Sequence, residues 1–263
     1  MLFVPLNRAK DIVREENISF RNCRGDTLSG VLHHPHAGAS TGSVILCHGM
    51  DSDKNSEKLI CLGRQLAQNG ILTLRFDFAY VGESSGKFEE ITCSGEIDDL
   101  AAAYACVQTR RQGKTAILGS SMGGTVALLF AAREPAVTGL VIIAAPIHPE
   151  KFPRRILTDA ELQDWRARGF IYYNGRRLNV SLLEDLDCLD VATAARSVKC
   201  PVLILHGDAD EVVPVEEAYE LSGCLGGARR LTVLKNTDHR LSSPGTMQQA
   251  IGEAQAWLMQ QVR

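Results

Sequence analysis

The chain has 263 residues, of which 45% are hydrophobic and 22% charged, with a formal charge of −3, an ordinary globular composition. That length suits one large α/β domain or two small ones and is ample for an enzyme. The near-balanced charge offers no basic face suited to nucleic acid and disfavours that class of partner.

The opening "MLFVPLNRAK" is broken by Pro5 and too short for a signal-peptide core, and no later run approaches the length of a membrane span, so a cytoplasmic protein with no membrane span is expected. Residues 15 to 36 alternate in a strand-like way around "CRGDTLSG", where Gly25-Asp26 supplies a turn, and predict a hairpin or pair of strands. In "LHHPHAG", His33, His34 and His36 read as loop residues, with surface metal binding a remote alternative. Six short apolar runs follow: residues 42 to 49, 70 to 78, 114 to 120, 138 to 146, 200 to 207 and 228 to 236. They read as buried parallel strands. Amphipathic stretches at residues 57 to 68, 95 to 112, 121 to 133, 215 to 225 and 246 to 263 predict helices between or after them, and so a doubly wound, mostly parallel sheet.

One connection breaks the rhythm. Residues 147 to 199 form a far longer link than the usual few residues. They carry a predicted helix at 158 to 168, a hairpin signalled by Asn174-Gly175 in "FIYYNGRRLNV", and one returning helix over roughly 181 to 196. The expected organisation is a core built from 1–146 and 200–263, with 147–199 as an inserted cap of helices and a β-hairpin. The eight cysteines are scattered singly with no C-x-x-C pair, as expected of reduced thiols, and no metal site is expected.

The chemistry concentrates in "ILGSSMGGTVALLF", where a strand runs into a helix. A phosphate cradle is one reading. However, Ser121 stands where the dinucleotide fingerprint needs its second glycine, and "GLVIIAAP" lacks the acid that would hold a ribose. "GKT" at 113 to 115 precedes the strand instead of following it, and so fails as a P-loop. The other reading is G-x-S-x-G, with Ser121 and not Ser120 at the centre of a strained turn that lifts it as a nucleophile. A serine hydroxyl needs a base, and the base needs an orienting acid. On such a fold the order is serine, acid, histidine. "LHGDADEVVP" and "KNTDHRL" supply Asp210 and His239 at the ends of the last two predicted strands. Asp208 suits turn formation beside Gly207, Asp238 reads as a solvated neighbour of the base, and His48 and His206 read as structural. His148 opens the insertion and could line the pocket. For the oxyanion, backbone N–H groups of Met122, just after the serine, and of Met50, in "LCHGMDSDKNS", are the candidates.

Taken together, "HGM", "RFDFAYVGESSG", "GSSMGG", "HGDADEVVP" and "NTDHRL" resemble, in this order and over essentially the whole chain, the α/β-hydrolase superfamily. Within it the chain is similar to serine esterases and serine aminopeptidase-like hydrolases, particularly bacterial feruloyl (cinnamoyl) esterases. Where the family has Gly-His-Gly-Glu-Ser, this chain departs with Ala79-Tyr80-Val81-Gly82-Glu83-Ser84, which bears on the pocket rim but not on the triad. Aspartate at 121 would have pointed to dehalogenases or epoxide hydrolases.

The resemblance implies the α/β-hydrolase fold and hydrolysis of small or medium carboxylic esters through an acyl-enzyme, with no cofactor and a small-molecule ester as partner. A thioesterase or a peptidase/amidase on the same triad is the alternative, and a non-catalytic binding protein is a further one. It also implies that the cap shapes the pocket, which makes Tyr172 and Tyr173, beside the hairpin turn, candidate substrate contacts; ordinary hairpin packing is their other explanation. The sequence leaves room for a homo-oligomer.

Overall fold

Residues 13–35 and 42–263 are described by the structure, a computed structural model; the opening "MLFVPLNRAK" and His36 lie outside them. Strands β1 (Arg14–Arg21) and β2 (Thr27–His34) form the predicted antiparallel pair, and β2 continues antiparallel onto β4 (Leu72–Phe76). The remaining sheet strands, β3 (Ser43–Cys47), β5 (Thr115–Ser120), β6 (Val137–Ile143), β9 (Val202–Gly207) and β10 (Arg229–Leu234), are parallel. The eight run in the order β1-β2-β4-β3-β5-β6-β9-β10.

Every residue of β3, β4, β5 and β9 is buried, because helices cover both faces. Successive side chains of a strand point to opposite faces. Val44 and Leu46 of β3 therefore pack with α1 (Glu57–Gln68) and α9 (Pro244–Val262), through Leu59, Leu62, Leu66, Ala254 and Leu258. Ile45 and Cys47 belong to the opposite core, with α2 (Cys93–Arg110), α3 (Met122–Arg133) and α8 (Val215–Cys224). The eight cysteines are free thiols.

The segment between β6 and β9 holds α4 (Phe152–Ile156), α5 (Asp159–Arg168), a two-stranded hairpin of β7 (Phe170–Tyr173) and β8 (Arg176–Asn179), α6 (Val180–Asp187) and α7 (Val191–Ser197). Thr158 caps α5 with a capping box through Glu161, and Asn174 and Gly175 turn the hairpin at positive φ of 49° and 74°. Two features differ from the sequence expectation. The single returning helix is two, because Asp190 stops the run and caps α7 by accepting from the Thr193 N–H at 2.9 Å. The short α4, after a 3-10 turn at Pro149–Lys151, had no amphipathic period to announce it. The segment is tied to the core by buried Glu217, which accepts from the N–H groups of Ile147 and His148 at 2.9 and 3.1 Å and pairs with Arg155.

The reading of His33 and His34 as loop residues is overturned. Both lie in β2, and His33 is fully buried, its Nε2 accepting from the Arg75 Nε at 2.9 Å. Burial, with the Arg75 charge beside it, pushes the His33 imidazole down to about 4. His34 faces outward, its Nε2 2.7 Å from Glu16.

After β4 the run "RFDFAYVGESSG" folds back on the buried Asp77. Lys54 Nζ donates to it at 2.5 Å, and the N–H groups of Lys54 and Glu83 add bonds at 2.8 and 2.9 Å. Removing one member of a buried ion pair strands the other charge, so Lys54→Met is expected to cost about 3–5 kcal/mol. The check is a lowered denaturant midpoint at unchanged slope, and a shift below about 1 kcal/mol would show that the backbone donors alone satisfy Asp77.

Candidate active site

The β5–α3 corner is built around backbone that will not tolerate side chains. A Cβ on Gly119 would run into the Gly123 carbonyl, and one on Gly123 into the His48 carbonyl. Ser121, between them, adopts φ 54° and ψ −126°, a conformation that costs a non-glycine residue on the order of 1–3 kcal/mol. Three backbone bonds hold it there: its N–H donates to the Ile143 carbonyl at 2.8 Å, and its own carbonyl accepts from Gly124 and Thr125. Ser121 is the N-cap of α3, yet its hydroxyl makes no cap bond. The Oγ instead lies 3.0 Å from His239 Nε2.

His239 sits in the turn between β10 and α9, and its Nδ1 is 2.8 Å from Asp210 Oδ2. The Asp210 side chain is fully buried after β9. Burial alone would favour its neutral form. Hydrogen bonds from His206 and His239 and the Val213 N–H outweigh that and hold its carboxyl well below the usual carboxylate range. Its second oxygen accepts from the Val212 and Val213 N–H groups at 2.9 and 2.7 Å, so Asp210 cannot rotate away from His239. The three residues picked from separate motifs are thus joined in one chain of hydrogen bonds, in which a base can take the Ser121 proton and a fixed anion can stabilise the charged base.

Asp208 accepts from the Asn236 N–H and pairs with Lys235, and Asp238 accepts from the Ser242 N–H, both as turn formers. His48 is structural: its Nε2 accepts from the Phe78 N–H at 3.2 Å, Nδ1 contacts the Gly49 carbonyl at 2.8 Å, and burial lowers its pKa. His206 does more than the sequence suggested, since its Nε2 lies 3.2 Å from the Asp210 carboxylate as well as 2.8 Å from the Val213 carbonyl. A histidine four residues before the acid was the available signal. His148 does not line the site and pairs with Glu220 at 2.9 Å.

Two spaces meet at Ser121. One is a cleft of about 400 Å³ reached by Gly49, Met50, Lys58, Ser120, Tyr173 and His239. The other is a smaller chamber of about 60 Å³, almost wholly apolar, lined by Met50, Met122, Cys93, Phe152, Leu182 and Val213 among others. Both methionines proposed as oxyanion donors therefore border the chamber beside Ser121, and Gly49 packs so closely that a Cβ there would sit 3.1 Å from the Ser121 Cβ. Of the two tyrosines only Tyr173 reaches the cleft, donating its hydroxyl to Asp51 at 3.2 Å. Tyr172 is 68% exposed and stacks edge-on against Phe170, because adjacent strand residues face opposite ways.

Among the described residues no cluster of histidine, cysteine and carboxylate side chains is arranged to hold a metal ion, and no helix is long and apolar enough to cross a membrane.

Residues 38–170, half of the chain, match the sequence family described as "Serine aminopeptidase, S33". The chain belongs to that family. It is a serine hydrolase of the α/β-hydrolase superfamily, and its central, largely parallel sheet with an overlying helical segment is the architecture of that superfamily. Among characterised relatives, the mitochondrial palmitoyl-protein thioesterase ABHD10 of Bos taurus is 26% identical over 246 residues, covering 87% of this chain and 79% of that protein. The uncharacterized protein YqkD of Bacillus subtilis is 28% identical over 232 residues, covering 83% and 70%. Est1E of Butyrivibrio proteoclasticus with ferulic acid bound superposes with a TM-score of 0.83 at 22% identity, covering 92% of this chain and 98% of that one. Mouse alpha/beta hydrolase domain-containing protein 10 superposes with 0.78 at 20% identity, covering 93% and 99%. At those identities the two structures speak for the fold.

Proposed function

We propose that this serine hydrolase cleaves small to medium carboxylic esters, with Ser121 as nucleophile, His239 as base and acid, and Asp210 as the group that orients His239. The observation that carries the reading is the unbroken hydrogen-bond path from Ser121 Oγ through both ring nitrogens of His239 to Asp210. Ser121 Oγ attacks the acyl carbon while His239 Nε2 takes its proton. The negative oxygen then faces the N–H groups of Met50 and Met122. The bond to the leaving oxygen breaks as Nε2–H returns the proton to it. Water, deprotonated by the same nitrogen, opens the acyl-enzyme and releases the carboxylic acid.

The two spaces divide the substrate. Since His239 protonates the leaving group and borders only the larger cleft, the alcohol occupies that cleft. The acyl group then enters the apolar chamber, whose size favours short or compact acyl groups over long chains. Thioester cleavage is the second reading, favoured by the similarity to a palmitoyl-protein thioesterase over most of the chain.

The test is steady-state hydrolysis of p-nitrophenyl acyl esters from acetate to palmitate, beside methyl ferulate, an acyl thioester of matched chain and an aminoacyl anilide. A kcat/KM maximum among the shorter or compact acyl esters, at least tenfold above palmitate, is expected. A maximum at palmitate, or preference for thioester or anilide over the matched ester, contradicts the ester assignment.

A further inference from the structure

Lys58, in the first turn of α1, stands in the cleft that the proposed reaction gives to the leaving group. Its Nζ donates to Ser120 Oγ at 2.7 Å, one residue from the nucleophile. The two buried cations nearby have carboxylates: Lys54 pairs with Asp77 and Glu83, and Arg75 approaches Glu15. Among the described residues no carboxylate pairs with Lys58, and burial without one pushes its ammonium down to about 8. Near neutrality the group is still mostly charged and holds a single neutral acceptor. A desolvated cation in that position gains most from an anion that arrives with the substrate.

The surroundings agree. Ser56, the N-cap of α1, also lines the cleft, and its Oγ is buried with no hydrogen-bond partner. The N-terminal end of α1 carries positive partial charge towards the same space. Two carboxylates border the cleft as well. Asp51 is engaged by Tyr173 and Asn174, and Glu57 is exposed. Exposed Arg240, next to His239 in the chain, adds a second cation to the lining.

Resting on the ester-hydrolase reading, we infer that the leaving group of this enzyme's substrate carries an anionic substituent, a carboxylate or phosphate, which Lys58 and the Ser56 hydroxyl bind in the cleft. The substrate class is then an ester of a compact apolar acid with an acidic alcohol or phenol. The cation acts on the part of the substrate that departs, so it selects among alcohols and leaves acyl choice to the apolar chamber.

The test compares esters of one acyl group, butyrate, with three phenols: 4-hydroxybenzoate, its neutral methyl ester, and 4-hydroxyphenyl phosphate. The readout is the ratio of kcat/KM for each anionic ester to that for the neutral one. The native ratio is expected to exceed about ten for at least one anion, the usual scale of a charge-assisted hydrogen bond. Which anion wins distinguishes carboxylate from phosphate recognition. Lys58→Met should bring the ratio to about one or below, and Lys58→Arg should keep part of it.

The native ratio should also fall as pH rises through about 8, because Lys58 loses its charge there. The other titratable or charged groups on the cleft are Asp51, Glu57, Tyr173, His239 and Arg240. Changes in the base affect both substrates and cancel in the ratio. A native ratio near one for both anions, or a ratio unmoved by Lys58→Met, overturns the inference while leaving the esterase intact. Failure of the native enzyme to hydrolyse any of the three overturns the reading beneath it. In that case calorimetric binding of 4-hydroxybenzoate to Ser121→Ala, with and without Lys58→Met, still decides the anion site, since loss of binding with the lysine supports it and equal binding refutes it.

Discussion

Ser121→Ala is expected to lower kcat/KM on the best ester by at least about ten-thousandfold, with KM changed little, because in the proposed reaction the lost atom is the one that bonds to the acyl carbon. The residual rate should come from the oxyanion donors and from substrate binding, which the substitution leaves in place. Folding should be nearly untouched. The strained φ of 54° is set by the backbone bonds to Ile143, Gly124 and Thr125, not by the hydroxyl, and alanine meets the same strain as serine. A variant that kept more than about a hundredth of native activity would mean that another group attacks the ester.

Asp210→Asn should be nearly as damaging, by about ten-thousandfold in kcat, through a different route. One Asp210 oxygen is fixed by two backbone donors, the N–H groups of Val212 and Val213, and the other faces His239 Nδ1 at 2.8 Å. An asparagine must give its single carbonyl oxygen to the backbone pair, which turns its NH2 towards His239. The imidazole then accepts at Nδ1 and carries its proton on Nε2, where it can no longer take one from Ser121. The His206 contact does not reverse this, because its Nε2 is shared with the Val213 carbonyl at 2.8 Å and lies farther from Asp210, at 3.2 Å, than either backbone donor. Rates for the variant over pH, with the fold checked by circular dichroism, test this. A loss of less than tenfold would show that Asp210 only packs against the base.

The features legible in the sequence are those that repeat a local rule. Buried parallel strands show as apolar runs, and α1 falls where its amphipathic period begins and ends. The hairpin is announced by Asn174-Gly175, and the meeting of Ser121, Asp210 and His239 is anticipated by chain order and by their places at strand ends. What escaped depends on distant neighbours. His33 looks like part of a polar, proline-broken loop, and only residues distant in the chain, Gly63 of α1 packed on its ring and Arg75 bonded to it, make it a core residue. The break between α6 and α7 rests on one cap at Asp190. Tyr172 and Tyr173 were indistinguishable as a pair, and the pleat separates them, one to solvent and one to the cleft. Lys58 looks like any helix-surface lysine until the fold sets the C-terminal end of β5 against α1 and brings the Ser120 hydroxyl to its ammonium.

The most direct test of the central claim is covalent trapping. Native protein incubated with a fluorophosphonate should gain the mass of one adduct, located by peptide sequencing on Ser121, and labelling should vanish in Ser121→Ala and slow by orders of magnitude in His239→Ala. An adduct on Ser120, beside Lys58, or complete resistance of the native enzyme under conditions that label an ordinary serine esterase, would contradict it.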